Sequence, residues 1–492
     1  MNTDPSPLLA LPAEIIQHVL SFLSLSDLLL AGRVSRALHE HSLEDTLWQP
    51  LVQANIPISV SVKPPRTTWR QLFMTHHPFW FIPKHKIWFA DNPATGKLLI
   101  ARYDHRLNSI EGYALVAERR QPRFMTWDWN PEAIIHTFNP RILLDLNAPV
   151  IRLDASAYEC AVGEGGRLGQ ELPMNLIVDP SRFSGNIYSR LMLTKPWPTN
   201  ITGPATPVWP PQILPSPVRT RNDSPSQFHD LGHRPTKLSE LSSNTFRIRR
   251  WMEFSSRTLG VSSRMGEATT TWATLPTECY TPTPQKPWQG IWCGDYAGHG
   301  CEFLVVLQPD HPNPLPERAE LVMRMREREG SVSSQESWET ASEGTASAGE
   351  GQAFDMTNSP EVEMQDSVAT LHATTVDEPA SPVVDDDEDL YHGRIEAVKL
   401  TGDPNIPRGE YTFIAPDIGP DGLIRIAQEK MFRGARVVKS VGHIAARGFR
   451  EDDYMASQLI LISHDRMAQY WETFGHVSFY ERVNIDEFTK ID

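Results

Sequence analysis

Leu11-Pro12-Ala13-Glu14-Ile15-Ile16-Gln17-His18-Val19-Leu20-Ser21-Phe22-Leu23 opens as a helix should, with a proline in its first turn, where the missing N–H leaves nothing unsatisfied. Behind it Ile15, Ile16, Val19, Leu20 and Leu23 recur at helical spacing and draw an apolar stripe. Ser24-Leu25-Ser26-Asp27 interrupts, with Ser24 or Ser26 placed to cap a second helix. That helix carries Leu28, Leu29, Leu30, Val34 and Leu38, with Arg33, Arg36 and His39 outside. A third short segment runs from Leu43 to Leu51 around Trp48. Three short helices within about fifty residues make a poor independent core. Apolar side chains on such a unit predict a docking surface; the alternative is a helical cap on the following domain.

Beyond these helices the period changes. Ile87-Trp88-Phe89-Ala90 and Lys97-Leu98-Leu99-Ile100-Ala101-Arg102-Tyr103 flank Asp91-Asn92-Pro93-Ala94-Thr95-Gly96, a hairpin signal. Gly290–Tyr296 and Cys301–Leu307 flank Ala297-Gly298-His299-Gly300 in the same manner, as do Gln458–Ser463 and Ala468–Phe474 around His464-Asp465-Arg466-Met467. Antiparallel strands with scattered apolar faces must close or be covered, because open edges invite aggregation. The expected fold is α+β: an N-terminal three-helix unit over residues 6–55, then a mainly antiparallel, barrel-like β domain. That domain is expected in two parts, 66–318 and 391–486, separated by a low-complexity acidic insert at 319–390 that buries too little apolar surface to order itself. Ten prolines between 196 and 240 forbid a long helix or a central strand there and predict an extended crossing segment. No repeat of fixed period is present, which argues against leucine-rich and propeller architectures.

Charge and cysteine content narrow the function. The formal net charge of −15 sits in one place: Gly330 to Leu390 holds 15 Asp and Glu with no Lys or Arg, which leaves 46 acidic against 46 basic residues elsewhere. A neutral folded part is unsuited to neutralising phosphate backbones, so nucleic acid is not the expected partner. The first residues lack a basic start followed by an apolar stretch, and the apolar runs fall far short of the roughly 20 residues that span a bilayer, so no secretory or membrane segment is expected. Four cysteines without a Cys-x-x-Cys pair make no disulfide framework. Cytoplasm or nucleus is the expected location.

Leu11-Pro12-Ala13-Glu14-Ile15-Ile16, Val19-Leu20-Ser21-Phe22-Leu23, Ser26-Asp27-Leu28-Leu29, Val34-Ser35-Arg36-Ala37 and Leu47-Trp48 together resemble an F-box in order, spacing and residue type. The usual Cys after the Val is Ser35, and the usual Trp after the Arg is replaced by Ala37-Leu38. The resemblance implies that these helices bind a Skp-type adaptor and, through it, a cullin–RING ubiquitin ligase. Leu11, Pro12, Ile15, Ile16, Val19, Leu20, Leu28 and Leu29 would lie at or beneath that interface. Gly290–Phe303, Leu400–Gly409, Gly442–Phe449 and the closing Phe479-Tyr480-Glu481-Arg482 are similar to the recognition domain of the F-box only protein 31 family and its fungal-type relatives. That likeness implies a β-barrel whose pocket engages C-terminal ends of substrates, including a cyclin and proteins ending in an amide.

The candidate substrate-binding residues are Trp292, Gly298, His299, Gly300, Asp403, Asn405, His443 and Phe449. The loops that carry them are far apart in sequence and all join expected strands, as binding loops on a scaffold do. Asp403 beside Asn405 suits a carboxamide, which offers both donor and acceptor atoms; a free carboxylate would prefer an Arg or Lys. The alternative makes Asp403 an ordinary turn cap. Cys293, His299 and Cys301 could be read as zinc ligands or as a Cys–His nucleophile, but no second pair of ligands and no orienting partner accompanies them, so neither a metal nor another cofactor is expected. Arg247-Ile248-Arg249-Arg250-Trp251 is a basic–aromatic patch that could touch RNA or simply be a solvated strand face. The expected role is a non-catalytic substrate receptor of a Skp–cullin–F-box ligase. A ligase-independent scaffold is the alternative, and a Cys/His hydrolase a third reading.

Overall fold

The structure is a computed structural model that describes residues 7–57, 63–90, 97–118, 124–136, 140–159, 161, 166–174, 176, 186–196, 233–256, 261–296, 300–332 and 390–491. The helical unit comprises α1 (Ala13–Ser21), α2 (Leu25–Ala31), α3 (Arg36–Ser42) and α4 (Asp45–Gln53). Pro12 precedes α1, as its sequence predicts. Ser24, not Ser26, caps α2 by accepting from the Asp27 amide at 3.2 Å, and Ser35 caps α3 through the Leu38 amide at 3.2 Å. Next come α5 (Trp69–His76) and α6 (Phe81–His85).

Ten strands follow with two short helices among them: β1 (Ile87–Ala90), β2 (Leu98–Asp104), β3 (Ser109–Glu118), β4 (Phe124–Thr126), β5 (Ile134–His136), β6 (Arg141–Leu153), α7 (Ala155–Glu159), α8 (Gly166–Gly169), β7 (Leu172–Pro173), β8 (Asn186–Leu193), β9 (Thr245–Ser256) and β10 (Val261–Ala273). All but β4 and β5 form one open antiparallel sheet in the order β6-β3-β2-β1-β10-β9-β8-β7.

The remaining strands are β11 (Gly290–Asp295), β12 (Cys301–Leu307), β13 (Ile395–Lys399), β14 (Tyr411–Ala415), β15 (Leu423–Ile426), β16 (Arg436–Ala446), β17 (Arg450–Ser463), β18 (Arg466–Trp471) and β19 (His476–Arg482). Helix α9 (Glu317–Val332) lies between β12 and β13, and α10 (Ile485–Thr489) follows β19. Here β11, β12, β13, β14, β16, β17, β18 and β19 pair in sequence, and β11 then pairs with β19, setting Trp292 opposite Arg482 and Gly294 opposite Tyr480. That pairing closes an eight-stranded barrel and removes its edges. β15 pairs with β16, while β5 and β4 extend outward from β19.

The open sheet is the middle layer. Successive strand residues point to opposite faces. Trp88 and Ala90 of β1, with Leu99 and Ala101 of β2, share one core with Leu47, Trp48 and Val52 of α4. Ile87, Phe89, Leu98 and Ile100 face the other way and pack with Cys293, Phe303 and Val305 on the outer wall of the barrel. The residues expected as a single barrel-like unit therefore form two β bodies, and only β11 onward enters the closed one. The helical unit is not an isolated bundle: Trp69 donates its amide to Asp45 at 2.8 Å, Lys63 pairs with the same carboxylate, and the Trp48 and Phe73 rings lie 5.7 Å apart.

Part of the expected acidic insert is folded. α9 begins at Glu317 and sets Ala319 into a buried cluster with Ile414, Val441 and Tyr454. Its amphipathic start supplies enough apolar contact to order it, which the acidic residues further on do not offer. The rest of the insert, 333–389, and residues 197–232 of the Pro-rich segment lie outside the described residues.

Candidate functional site

The helical unit divides the eight expected adaptor contacts by burial. Ile16, Leu20 and Leu28 are interior, each below 5% exposed. Leu11, Pro12, Ile15, Val19 and Leu29 stand in solvent. Ile15 and Val19 sit one turn apart on α1, and Phe22, 77% exposed, extends the same stripe. Leu30 and Val34 (75% exposed) add to the apolar surface from α2 and its end. Phe22, Leu30 and Val34 were missed as candidates, although all three lie in the quoted stretch. Spacing alone does not say which side of a small helix faces inward.

The second site is one end of the barrel. Antiparallel alternation brings the β11–β12, β13–β14, β16–β17 and β18–β19 connections to the same end. The Asn405 side chain donates through Nδ2 to the Ala445 carbonyl at 2.9 Å, and the Gly448 amide donates to the Pro404 carbonyl at 2.8 Å. The Thr401 hydroxyl accepts from the Phe303 amide at 2.8 Å, which ties the same loop to β12. Gly300, with φ of 90°, closes the first hairpin, its carbonyl accepting from the Tyr296 amide at 3.0 Å. Gly298 and His299 lie outside the described residues. The β18–β19 turn at this end presents Phe474, 56% exposed, which the sequence reading had not singled out.

Inside that end is a buried charge cluster. Leu304 of β12 pairs with Lys399 of β13, and Glu302, two residues before Leu304, turns inward beside it. Lys399 Nζ lies 2.7 Å from Glu302 Oε2, contacts Asp403 Oδ2, and sits 4.9 Å from the centroid of the Tyr296 ring. Asp403 Oδ1 accepts from the amides of Asn405 at 2.6 Å and Ile406 at 2.7 Å. Burial pushes the Asp403 carboxyl up, but Lys399 and those two amides outweigh it and hold it below its usual range. Burial drives Glu302 up to about 8, with the Asp403 charge adding to it against Lys399. Of two carboxylates flanking one ammonium, Asp403 carries the charge and Glu302 is mostly protonated near neutrality.

Six of the eight expected substrate contacts are among the described residues. Asp403 is the turn cap of the alternative reading, 7% exposed with both oxygens engaged. Trp292 is inside the barrel, where its indole N–H donates to the Trp288 carbonyl at 3.0 Å, away from the loop end. The His443 imidazole is buried; its Nδ1 donates to the Tyr411 carbonyl at 2.9 Å, and its ring stacks on Tyr454 with centroids 4.5 Å apart. Phe449, with φ of 56° and 6% exposure, places its ring edge-on to His443 at 5.8 Å. Asn405 is half-buried at the rim. The β13–β14 and β16–β17 loops meet through Asn405 and Gly448, but the side chains of Asp403, His443 and Phe449 build the end of the barrel and do not face solvent. Gly294 likewise makes room for an aromatic ring: a Cβ there would come within 2.6 Å of Tyr480. Cys293 is unsuited to attack, because hydrogen bonding with Cys301 and burial push its thiol well above the usual range.

A small helical domain with an exposed apolar face is built onto a sheet and a closed barrel. Residues 8–54 match the model of the F-box-like family, so the chain carries an F-box-like domain. Residues 272–487 match the model of the Cyclin D1 binding domain, a range that begins at the end of β10 and takes in the whole barrel. A search of curated proteins finds no match. Among the described residues no helix is long and apolar enough to cross a membrane.

Proposed function

We propose that this chain is the substrate-recognition subunit of a Skp–cullin–F-box ubiquitin ligase, holding an adaptor through the F-box-like helices and a substrate protein through the loop end of the barrel. The observation that carries this reading is the solvent-exposed stripe Ile15, Val19 and Phe22 on a domain packed on one face of the open sheet, whose other face packs on a barrel in the range matched by the Cyclin D1 binding domain. The chain does no bond chemistry of its own. It positions a substrate lysine near the ubiquitin-bearing partner and raises its effective concentration. The matched description favours cyclin-like substrates, and the resemblance noted from the sequence favours a substrate's C-terminal end.

Asp403 is a positioning residue in this reading, fixing the Pro404–Asn405 rim. Asn405 and Phe474 are the side chains offered at the rim, and exposed Arg447 and Arg450 on the neighbouring turn suit an acidic end better than an amidated one. The test is co-purification with a Skp-type adaptor, followed by peptide binding to otherwise identical acid-ended and amide-ended peptides. Loss of adaptor in the Ile15→Asp/Val19→Asp double variant, at unchanged melting temperature, is the expected result. Retention of adaptor by that variant would leave the barrel as a ligase-independent scaffold.

A further inference from the structure

The basic–aromatic run Arg247-Ile248-Arg249-Arg250-Trp251 lies in β9 and contributes no residue to either site above. Its register shows what it builds. Arg190 of β8 is directly opposite Arg249, and Tyr188 is directly opposite Trp251. Residues two apart share a face, so an arginine pair and an aromatic pair stand in adjacent rows on one side of the open sheet. The Tyr188 and Trp251 rings stack at 5.5 Å and 13°, and the Arg190 and Arg249 guanidiniums lie over Trp251 at 5.4 and 5.1 Å.

Like charges directly opposite one another are destabilising unless something bridges them. Glu171, just before β7, is that bridge. Its carboxylate takes Arg234 at 2.6 Å, contacts Arg249, and lies 3.8 Å from Arg190. Arg234 is fixed further by donating to the Gly169 carbonyl at 3.1 Å. These residues line a cleft of about 530 Å³ with Gln170 and Pro173. Its charged lining is three arginines and one glutamate, so two positive charges are left over. Glu267 offsets part of this from outside the cleft, pairing with the far side of Arg249 at 3.0 Å.

We propose that this cleft binds a phosphomonoester dianion carried on a serine or threonine of a peptide. A dianion with three acceptor oxygens matches the surplus positive charge on converging, planar donors better than a single carboxylate does, and Glu171 already fills the carboxylate position. Exposed Tyr188 offers an apolar face for the residue beside the phosphate. A polynucleotide fits less well. The arginines converge on one point and do not track a strand, while Arg247 of the same run is fully buried. The site stands independently of the ligase reading, since phosphopeptide binding needs no adaptor.

The experiment is fluorescence anisotropy on the full chain with labelled acetyl-Ala-Ala-pSer-Pro-Ala-Ala-amide and its unphosphorylated twin at 150 mM salt. The phosphorylated probe should bind at least tenfold tighter, and inorganic phosphate should displace it. Arg190→Glu, at the most exposed of the three arginines, should remove that preference with little change in melting temperature. Arg190→Gln serves if the first variant is unstable. Glu171→Gln frees the arginines and should tighten phosphopeptide binding severalfold, an outcome that a purely structural bridge would not give. Equal binding of the two peptides, or an undiminished preference in the Arg190 variants, would overturn the proposal. So would binding confined to oligoribonucleotide or to phosphoinositide vesicles.

Discussion

At the helical end Ile15, Val19, Phe22 and Val34 stand in solvent, whereas at the loop end of the barrel Asp403, His443 and Phe449 are covered by their own neighbours. Both sets come from the most recognisable stretches of the chain. A recognisable motif marks residues under constraint, and that constraint can be a partner or the fold itself. The helical unit is too small to bury all its apolar residues, so part of its motif is left for another surface. The barrel is closed, so its motif polar groups turn inward, Asp403 to Lys399 and two backbone amides and His443 to the Tyr411 carbonyl.

The strongest way to break the contrast is to charge the two faces of α1 separately. Ile16→Asp and Leu20→Asp place carboxylates in the shared core at several kcal/mol each, and the chain should fail to fold cooperatively in thermal melts. Ile15→Asp/Val19→Asp, only one position away, should keep the melting temperature within a few degrees while adaptor affinity falls more than about a hundredfold. Unfolding of the second pair as well would mean the exposed stripe is part of the fold.

A second test addresses the barrel. Asp403→Asn removes the charge facing Lys399 and should cost about 2–4 kcal/mol of stability, as breaking a buried pair does. Peptide affinity per folded molecule should be unchanged, measured together with the melt on the same sample. Weaker binding at unaltered stability would return Asp403 to the contact surface.

Glu302 gives a smaller, pH-dependent effect. Its folded pKa of about 8 exceeds the ordinary 4.5, so the folded state holds a proton that the unfolded chain releases. The stability from this group is complete below pH 4.5 and is lost as pH rises through 8, a decline of roughly a few kcal/mol. Asp403 has the opposite sign, stabilising above its ordinary pKa and losing that contribution as pH falls further. Glu302→Gln should flatten the alkaline decline in denaturant midpoints between pH 5 and 8. An unchanged slope would place the titrating group elsewhere. The smallest effect is expected from replacing residues 333–389 with a short Gly/Ser linker, which should shift the melting temperature by no more than a few degrees; a larger fall would mean that the segment packs against the barrel.

α1 was legible because a 3.6-residue period and a proline start agree, and Ser24 was one of the two caps offered for α2. The single helix expected over Leu28 to Leu38 is instead α2 and α3, because Ser35 turns out of the helix and caps a new one. The hairpin β11–β12 was legible from its glycine turn. The division of the β region into a sheet and a barrel was not. Ile87-Trp88-Phe89-Ala90 is apolar at every position because both faces are buried, so it carries no alternation to tell which layer lies on which side. Its partner β10 comes more than 170 residues later, with Phe89 opposite Ala273. Lys399 and Glu302 had no local signal either, since the register Leu304 to Lys399 is fixed by closure and not by any turn. Asp403 was read with both its meanings open, and the spacing Asp-Pro-Asn-Ile could not choose between them because a turn cap and a rim contact use the same residues.

The path between Leu307 and Ile395 has a consequence for how this chain can change. β12 and β13 are hydrogen-bonded neighbours, with Leu307 opposite Glu396, so the whole excursion departs from and rejoins adjacent staves of the barrel. Closing such a detour costs free energy only as the logarithm of its length, about 0.6 kcal/mol for each doubling. α9 anchors the outgoing limb, with Arg326 donating to the Ser457 carbonyl at 2.8 Å and pairing with Glu472 at 2.7 Å. The rungs that join β12 to β13 run from Leu304–Lys399 to Leu307–Glu396, so the register there is held by pairing between the two strands and not by the length of chain between them. The position is a natural splice port, where descendants of this chain can acquire new modification sites or tethers while the barrel is inherited intact.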